Sequence, residues 1–406
     1  MTPVHADRKE PIPMLRTRRL LLSAAATMAV LGLAGCASQS VGQANKTGPS
    51  APAGAPDYSS IIPKGDIVAG SKEIVRKSLS ASEGFIPPSQ GAPAQSPGAH
   101  IAYVAADLTD GGPNGVGVGL KEAATVLGWT VDVYDGQGTA QGHTNAINQA
   151  IASNPKAIVL GSVDATEQAN TIKTASTAKI PVFGWHSTSA PGPGLGLVTN
   201  ISTDPLQVAK LAAGYAVADS DGHAGAAIFT DSQYAVAIAK SDAMKAYLTA
   251  CSGCTVLATE DSPVSTTSQR MPGLISNLLQ QNGDKLTYFL GINGNYFTGA
   301  APALKSAGKD PAGPPKGIAA GNGDAAELQR IRTGDYQTAT VAEPLYLQAW
   351  QILDAVNSTL AGKPVADFVA APGLINKTNV PSTGNVFDPP SGYREIYKKI
   401  WGKQQG

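Results

Sequence analysis

Ile101-Ala102-Tyr103-Val104-Ala105-Ala106, Trp129-Thr130-Val131-Asp132-Val133-Tyr134 and Ala157-Ile158-Val159-Leu160 are three short apolar runs in one stretch of chain. Between the first two lie a Gly-rich loop and a helical stretch from Lys121 to Leu127, and between the second and third a helix near Gly142 to Ala152. A helix from Thr166 to Thr177 then leads to a fourth run, Pro181-Val182-Phe183-Gly184. Apolar runs too short for buried helices, alternating with amphipathic helices, predict right-handed βαβ units on a parallel sheet.

The rhythm begins again downstream. Ala224 to Phe229 reads as a strand, Ala235 to Leu248 as a helix, Thr255-Val256-Leu257 as a strand and Leu274 to Gln281 as a helix. Leu286 to Leu290, a helix from Phe297 to Ala307, Gly317-Ile318-Ala319 and a helix from Ala325 to Arg332 complete the second set. Two α/β sets of similar rhythm in 406 residues predict two lobes, since a single core stops growing well before that length. Ligands of such sheets sit beyond the carboxyl ends of the strands, which for two facing lobes means a cleft between them.

Working outward, residues 1–36 read as an export signal. Arg16, Arg18 and Arg19 precede the apolar stretch Leu20 to Leu33, which is too short to span a bilayer. It ends in Leu33-Ala34-Gly35-Cys36, which resembles a bacterial lipobox whose cysteine takes a diacylglyceryl group. The paired arginines fit a twin-arginine signal as well as an ordinary one. Residues 37–98 read as a tether, because Ala37 to Pro56 and Pro87 to Pro97 are rich in Ala, Gly, Pro and Ser and are not expected to pack. Ile67 to Leu79 between them is expected to form one short helix that docks on the body. These features place the globular part outside the cytoplasm, with the lipid anchor as its membrane contact.

The 30 basic and 30 acidic side chains balance, but five basic and two acidic ones lie in the signal. The remainder carries 25 basic and 28 acidic groups and no basic run, which argues against nucleic acid as a partner. Cys251 and Cys254 follow one helix and precede Thr255-Val256-Leu257, where a small disulfide is the simplest reading. A redox pair is expected at a helix start, and a zinc knuckle needs a second ligand pair.

Enzyme motifs are sparse. Gly115, Gly117 and Gly119 with Asp135 imitate a dinucleotide fingerprint, but their spacing departs from G-x-G-x-x-G. Neither a G-x-S-x-G elbow nor an H-E-x-x-H motif occurs, and the five histidines form no sequence cluster. A carboxylate-pair glycosidase leaves no motif, so only the two-lobed pattern argues against it. The reading is of a binding protein, with no catalytic residue, metal or cofactor.

From residue 99 to about 400 the blocks resemble, in order, the type I periplasmic solute-binding proteins, of which the ribose-binding protein is a familiar member. Ile101 to Val104, Lys121 to Ala124, Leu127-Gly128-Trp129, Asn148 to Leu160 and Ile180-Pro181-Val182 carry the first half. Thr199 to Asp204, Asn293-Gly294, Ala301 to Lys309 and Gly334 to Ala342 carry the second. The resemblance implies two Rossmann-like doubly wound lobes joined by three crossovers, near Ser202 to Asp204, Glu343 to Leu345 and Ala366 to Pro372. The lobes would be 99–202 plus 345–368 and 203–344 plus 369–400.

The resemblance also implies a monomer that binds a sugar or polyol and delivers it to the permease and ATPase subunits of an ABC transporter. Presentation of the ligand to a receptor is the competing role. A repressor of the same fold would need a helix-turn-helix where the lipobox stands. Carried over by position, the ligand contacts would be Asp110, Asn114, Trp185, His186, Tyr234, Lys240, Thr266, Asn293, Asn295, Asn322, Asp324 and Glu343. Amides that both donate and accept, and carboxylates that accept strongly, suit hydroxyl-rich ligands. The first loop has Gly112-Pro113 where family sugar binders carry aromatic residues, and Trp185-His186 stands where an Asp-Arg pair is frequent.

Overall fold

The computed structural model describes residues 57–80 and 85–403. The signal, Cys36 and residues 37–56 lie outside the described residues.

The first lobe runs β1 (His100–Ala105), α2 (Gly111–Leu127), β2 (Thr130–Asp135), α3 (Ala140–Ala152), β3 (Ala157–Gly161), α4 (Ala169–Thr177) and β4 (Val182–Trp185), preceded by α1 (Ile67–Ser80). A hairpin of β5 (Gly192–Gly194) and β6 (Leu197–Ile201) follows. The second lobe begins with α5 (Pro205–Asp219), β7 (Gly225–Thr230), α6 (Ala235–Thr249), β8 (Thr255–Asp261), α7 (Thr267–Asn282) and β9 (Tyr288–Gly291). It continues through α8 (Asn295–Thr298), α9 (Ala300–Ser306), β10 (Lys316–Ala319), α10 (Ala325–Thr333) and β11 (Gln337–Ala342). Then come α11 (Leu345–Leu360), β12 (Gly373–Asn376) and α12 (Tyr393–Ile400).

The strands form two six-stranded sheets, ordered β2-β1-β3-β4-β6-β5 and β12-β11-β10-β9-β7-β8. In each, the first strand of the lobe lies between the second and third, and all pairings are parallel except those of β5 and β12. That arrangement opens a crevice at the carboxyl ends of β1 and β3, and another at β7 and β9. The chain passes between sheets at Ser202–Asp204, at Glu343–Pro344 and between α11 and β12. The first passage has a local cause. Asp204 Oδ1 accepts from Leu206 N at 2.9 Å and Pro205 opens α5, a cap that contributes about 1 kcal/mol.

Three expectations need correction. The Gly-rich segment after β1 is helix rather than loop, because Gly115 and Gly119 face α11. A Cβ on Gly119 would stand 2.7 Å from Ala349 Cβ, so the bare backbone sets the closeness of the two helices. Residues 85–98 are not a free tether, whereas α1 is the short docked helix expected at Ile67 to Leu79. Ser71 Oγ and Tyr247 Oη lie 2.8 Å apart and buried, fixing α1 to the second lobe. Asn357 Nδ2 donates to Ala92 O at 2.9 Å, and Trp129 Nε1 donates to Gln95 O at 2.9 Å, holding the Pro-rich segment on the first lobe. Buried side-chain donors thus satisfy a backbone that has no sheet partner.

The third correction concerns the C-terminus. β12 joins the second sheet, but α12 returns to the first lobe, where Trp401 stacks on Trp350 with centroids 5.2 Å apart. Trp401 Nε1 donates to the buried Asp354 at 2.8 Å. The stretch 369–400 is therefore divided between lobes. In the turn after α6, Cys251 and Cys254 are bonded, with Cα atoms 5.3 Å apart.

Candidate functional site

Nine polar residues from loops at the carboxyl ends of strands, or from the helices they open, enclose a cavity of about 50 Å³ between the lobes. Asp107 and Asp110 follow β1, Ser162 follows β3 and His186 follows β4. Across from them stand Tyr234 and Lys240 after β7, Ser265 after β8, Asn293 after β9 and Asn322 after β10. Pro113, Val236, Val264 and Ile292 supply the apolar wall.

Ser162, His186 and Asn322 have φ of 59°, 52° and 66°, a left-handed region that non-glycine residues rarely enter. Such strain persists only where the surroundings over-determine it, and it concentrates at functional sites. The lobes also touch directly. Asn322 Nδ2 donates to Asp110 Oδ1 at 2.8 Å, and Ala235 N donates to Asp164 Oδ2 at 3.2 Å. A Cβ on Gly112 would approach Asn322 Oδ1 to 2.6 Å, so glycine there permits the close approach.

Burial pushes the Asp110 carboxyl up to about 6, with Asp324 and Asp107 adding to the rise and the Gly112 and Asn322 donors opposing it. Glu343 is fully buried at the second crossover. Lys240 Nζ donates to its Oε1 at 2.8 Å, His186 Nε2 to its Oε2 at 2.6 Å, and Thr203 Oγ1 also to Oε2. Burial alone would raise the Glu343 carboxyl, but His186 and Lys240 hold it well below the usual range. Burial lowers His186 despite that carboxylate. Lys240 keeps further N–H donors for the cavity.

Of the twelve sequence-derived positions, Asp110, His186, Tyr234, Lys240, Asn293 and Asn322 line the cavity. Glu343 sits behind it, its oxygens occupied. Trp185 is wholly buried, donates to Gln348 Oε1 at 2.8 Å and stacks on His186 at 3.9 Å, so its face is not offered to a ligand. Asn114, Asn295 and Asp324 line a separate depression at the outer edge of the cleft. Thr266 bonds back to Pro263 O at 3.2 Å, one residue from the cavity-lining Ser265. Asp107, Ser162 and Ser265 were missed. The available signal was position, since Asp107 and Ser162 lie within two residues of a strand's carboxyl end.

No curated protein sequence matches the chain. Solved structures do. An ABC transporter solute-binding protein from Agrobacterium vitis, bound with α-D-tagatopyranose, is 18% identical over 70% of this chain and 96% of its own, with a TM-score of 0.62. A glucose-galactose binding protein from Geobacillus stearothermophilus is 20% identical over 70% and 100%, with a TM-score of 0.62. An ABC transporter solute-binding protein from Bacillus halodurans with bound myo-inositol is 16% identical over 76% and 99%, with a TM-score of 0.60. At these identities they establish a shared fold. No helix among the described residues is long and apolar enough to cross a membrane. The family model described as a periplasmic binding protein domain matches residues 101–364, which hold the strands of both sheets through β11 and the cavity residues between the lobes. With that match the chain belongs to the periplasmic binding proteins, which are extracytoplasmic solute binders and not enzymes.

Proposed function

We propose that the chain captures a small hydroxylated solute, a sugar or polyol, in the cavity between its lobes and delivers it to the permease and ATPase of an ABC importer. The observation that carries this reading is the lining itself. Both lobes contribute two-way groups, with Asn293, Asn322, Ser162 and Ser265 able to donate and accept beside the carboxylates of Asp107 and Asp110. Such a set pairs with several hydroxyls at once and penalises analogues that lack them, because its buried groups would then stay unpaired. The structural neighbours that bind tagatopyranose and myo-inositol agree with it. Cys36, lipidated after export, would hold the protein near the permease and raise its effective concentration there, with the protein a monomer.

The gap of about 50 Å³ between the lining groups is too small for a sugar, so the lobes must part to admit one and then close onto it further apart than they stand here. A thermal-shift screen over sugars and polyols, with amino acids and nucleosides as controls, tests the assignment. A hydroxylated solute should raise the melting temperature, and Asn322→Ala should abolish the rise. Stabilisation by a control compound alone would refute the solute class.

A further inference from the structure

Behind the second lobe's share of the cavity lies a buried group that no ligand contact explains. Glu327 and Arg330 occupy successive turns of α10, wholly and nine-tenths buried. Glu327 Oε1 accepts from Gly323 N at 3.3 Å, while its Oε2 accepts from Gln337 Nε2 at 3.3 Å and from Thr340 Oγ1. Arg330 Nη2 donates to Gly294 O at 2.8 Å, Nε to Gln337 Oε1 at 2.7 Å, and Nη1 to Thr298 Oγ1 at 3.2 Å. Gly323 follows Asn322, and Gly294 follows Asn293. One helix turn therefore grips the backbone beside both cavity amides.

The grip has a reason. Gly321, Asn322 and Gly323 run through φ of 139°, 66° and 71°; the glycines take such angles freely, and Asn322 between them is the residue that must be held there. Asn322 can face the cavity only while that conformation lasts. A Cβ on Gly294 would collide with the Glu327 side chain, so the two loops and the helix fit as one unit.

We propose that Glu327 and Arg330 are positioning residues: they touch no ligand, and they fix the loops that aim Asn293 and Asn322 at it. The proposal rests on the cleft being the binding site. Burial, with Asp324 adding to it, pushes the Glu327 carboxyl up to about 8, so near neutral pH glutamine is close to it in charge and shape, and its amide oxygen can keep the bond from Gly323 N that reaches the loop.

The test compares Glu327→Ala, Glu327→Gln and Arg330→Met in the full chain. Backbone hydrogen exchange is followed without ligand, and binding of myo-inositol, D-galactose and L-arabinose is titrated separately. E327A should speed exchange at residues 293–294 and 321–323 at least tenfold while Phe289 and Ile318 in the strands keep their rates. It should weaken the sugar that binds at least tenfold, and add nothing to the loss already caused by N322A. E327Q should retain both properties, and R330M should loosen 293–294 more than 321–323. Unchanged loop exchange in E327A, or exchange rising in step across the whole lobe, would overturn the proposal. If N322A left sugar binding intact, or no sugar bound, the cleft reading would fail, and the ligand-free exchange would still decide for or against the brace.

Discussion

At the scale of single residues, the buried charges decide most. Glu343 is fully buried, and removing it strands the Lys240 ammonium in the interior. Breaking such a pair from one side costs about 3–5 kcal/mol, whereas apolar replacement of both partners is often nearly neutral. Urea unfolding should therefore show E343A losing several kcal/mol and K240M/E343L losing less than E343A. A double variant as damaged as the single one would mean that the charges are not what the cluster contributes. Asp354 makes a second, pH-dependent case. Burial raises its carboxyl from 3.8 to about 6, with the Trp401 donor opposing the rise. A carboxylate raised on folding favours the folded state in its protonated form. Its contribution is complete below about 3.8 and lost as the pH climbs through about 6. D354N should accordingly be more stable than the parent by roughly 3 kcal/mol at pH 8, with the gap closing by pH 4. A gap that does not change with pH would refute the assignment.

Among secondary-structure elements, the same substitution should act with opposite sign at two glycines. Gly119 lies on the α2 face against α11, where a Cβ would meet Ala349 Cβ at 2.7 Å and Tyr346 Cα at 3.1 Å. Overpacking of this kind costs about 1–3 kcal/mol, more than the roughly 1 kcal/mol that alanine gains in a helix. Gly273 is exposed on α7 with open space around its Cβ, so only the propensity gain remains. G119A should lower the melting temperature and G273A should raise it; two shifts of the same sign would refute the packing account. The pair also marks the limit of the sequence. Strand runs such as Ile101 to Ala106 were legible because burial on both faces leaves an uninterrupted apolar run. The glycines of α2 were read as a loop because propensity is local, while their purpose lies in a helix more than two hundred residues away. Trp185 misled for a related reason: its place beside a strand end was legible, but its indole N–H partner, Gln348, lies on α11. Asn293 and Asn322 reach the cavity as expected by position, because a residue at a strand's carboxyl end is sent into the cleft.

For the molecule as a whole, the question is what closes the cleft. Tyr234, which precedes α6, provides no side-chain cap. The cap comes from the opposite lobe, where Asp164 accepts from Thr166 N at 2.8 Å with one oxygen and from Ala235 N at 3.2 Å with the other. A carboxylate at a helix N-terminus meets unpaired N–H groups and the positive end of the helix dipole, together amounting to about 1 kcal/mol. That energy exists only while the lobes are together, so it favours the closed arrangement before any solute arrives. A ligand that binds only the closed form has its apparent affinity scaled by the closed population. D164A should therefore enlarge the radius of gyration of the ligand-free protein in small-angle X-ray scattering. Where closure is marginal, it should also weaken sugar binding by about fivefold, since 1 kcal/mol corresponds to roughly that factor. Asp164 does not line the cavity, so its loss should leave the order of preference among sugars unchanged. A changed order of preference would make Asp164 a ligand contact, and an unchanged radius with unchanged affinity would show that the trans cap does not govern closure.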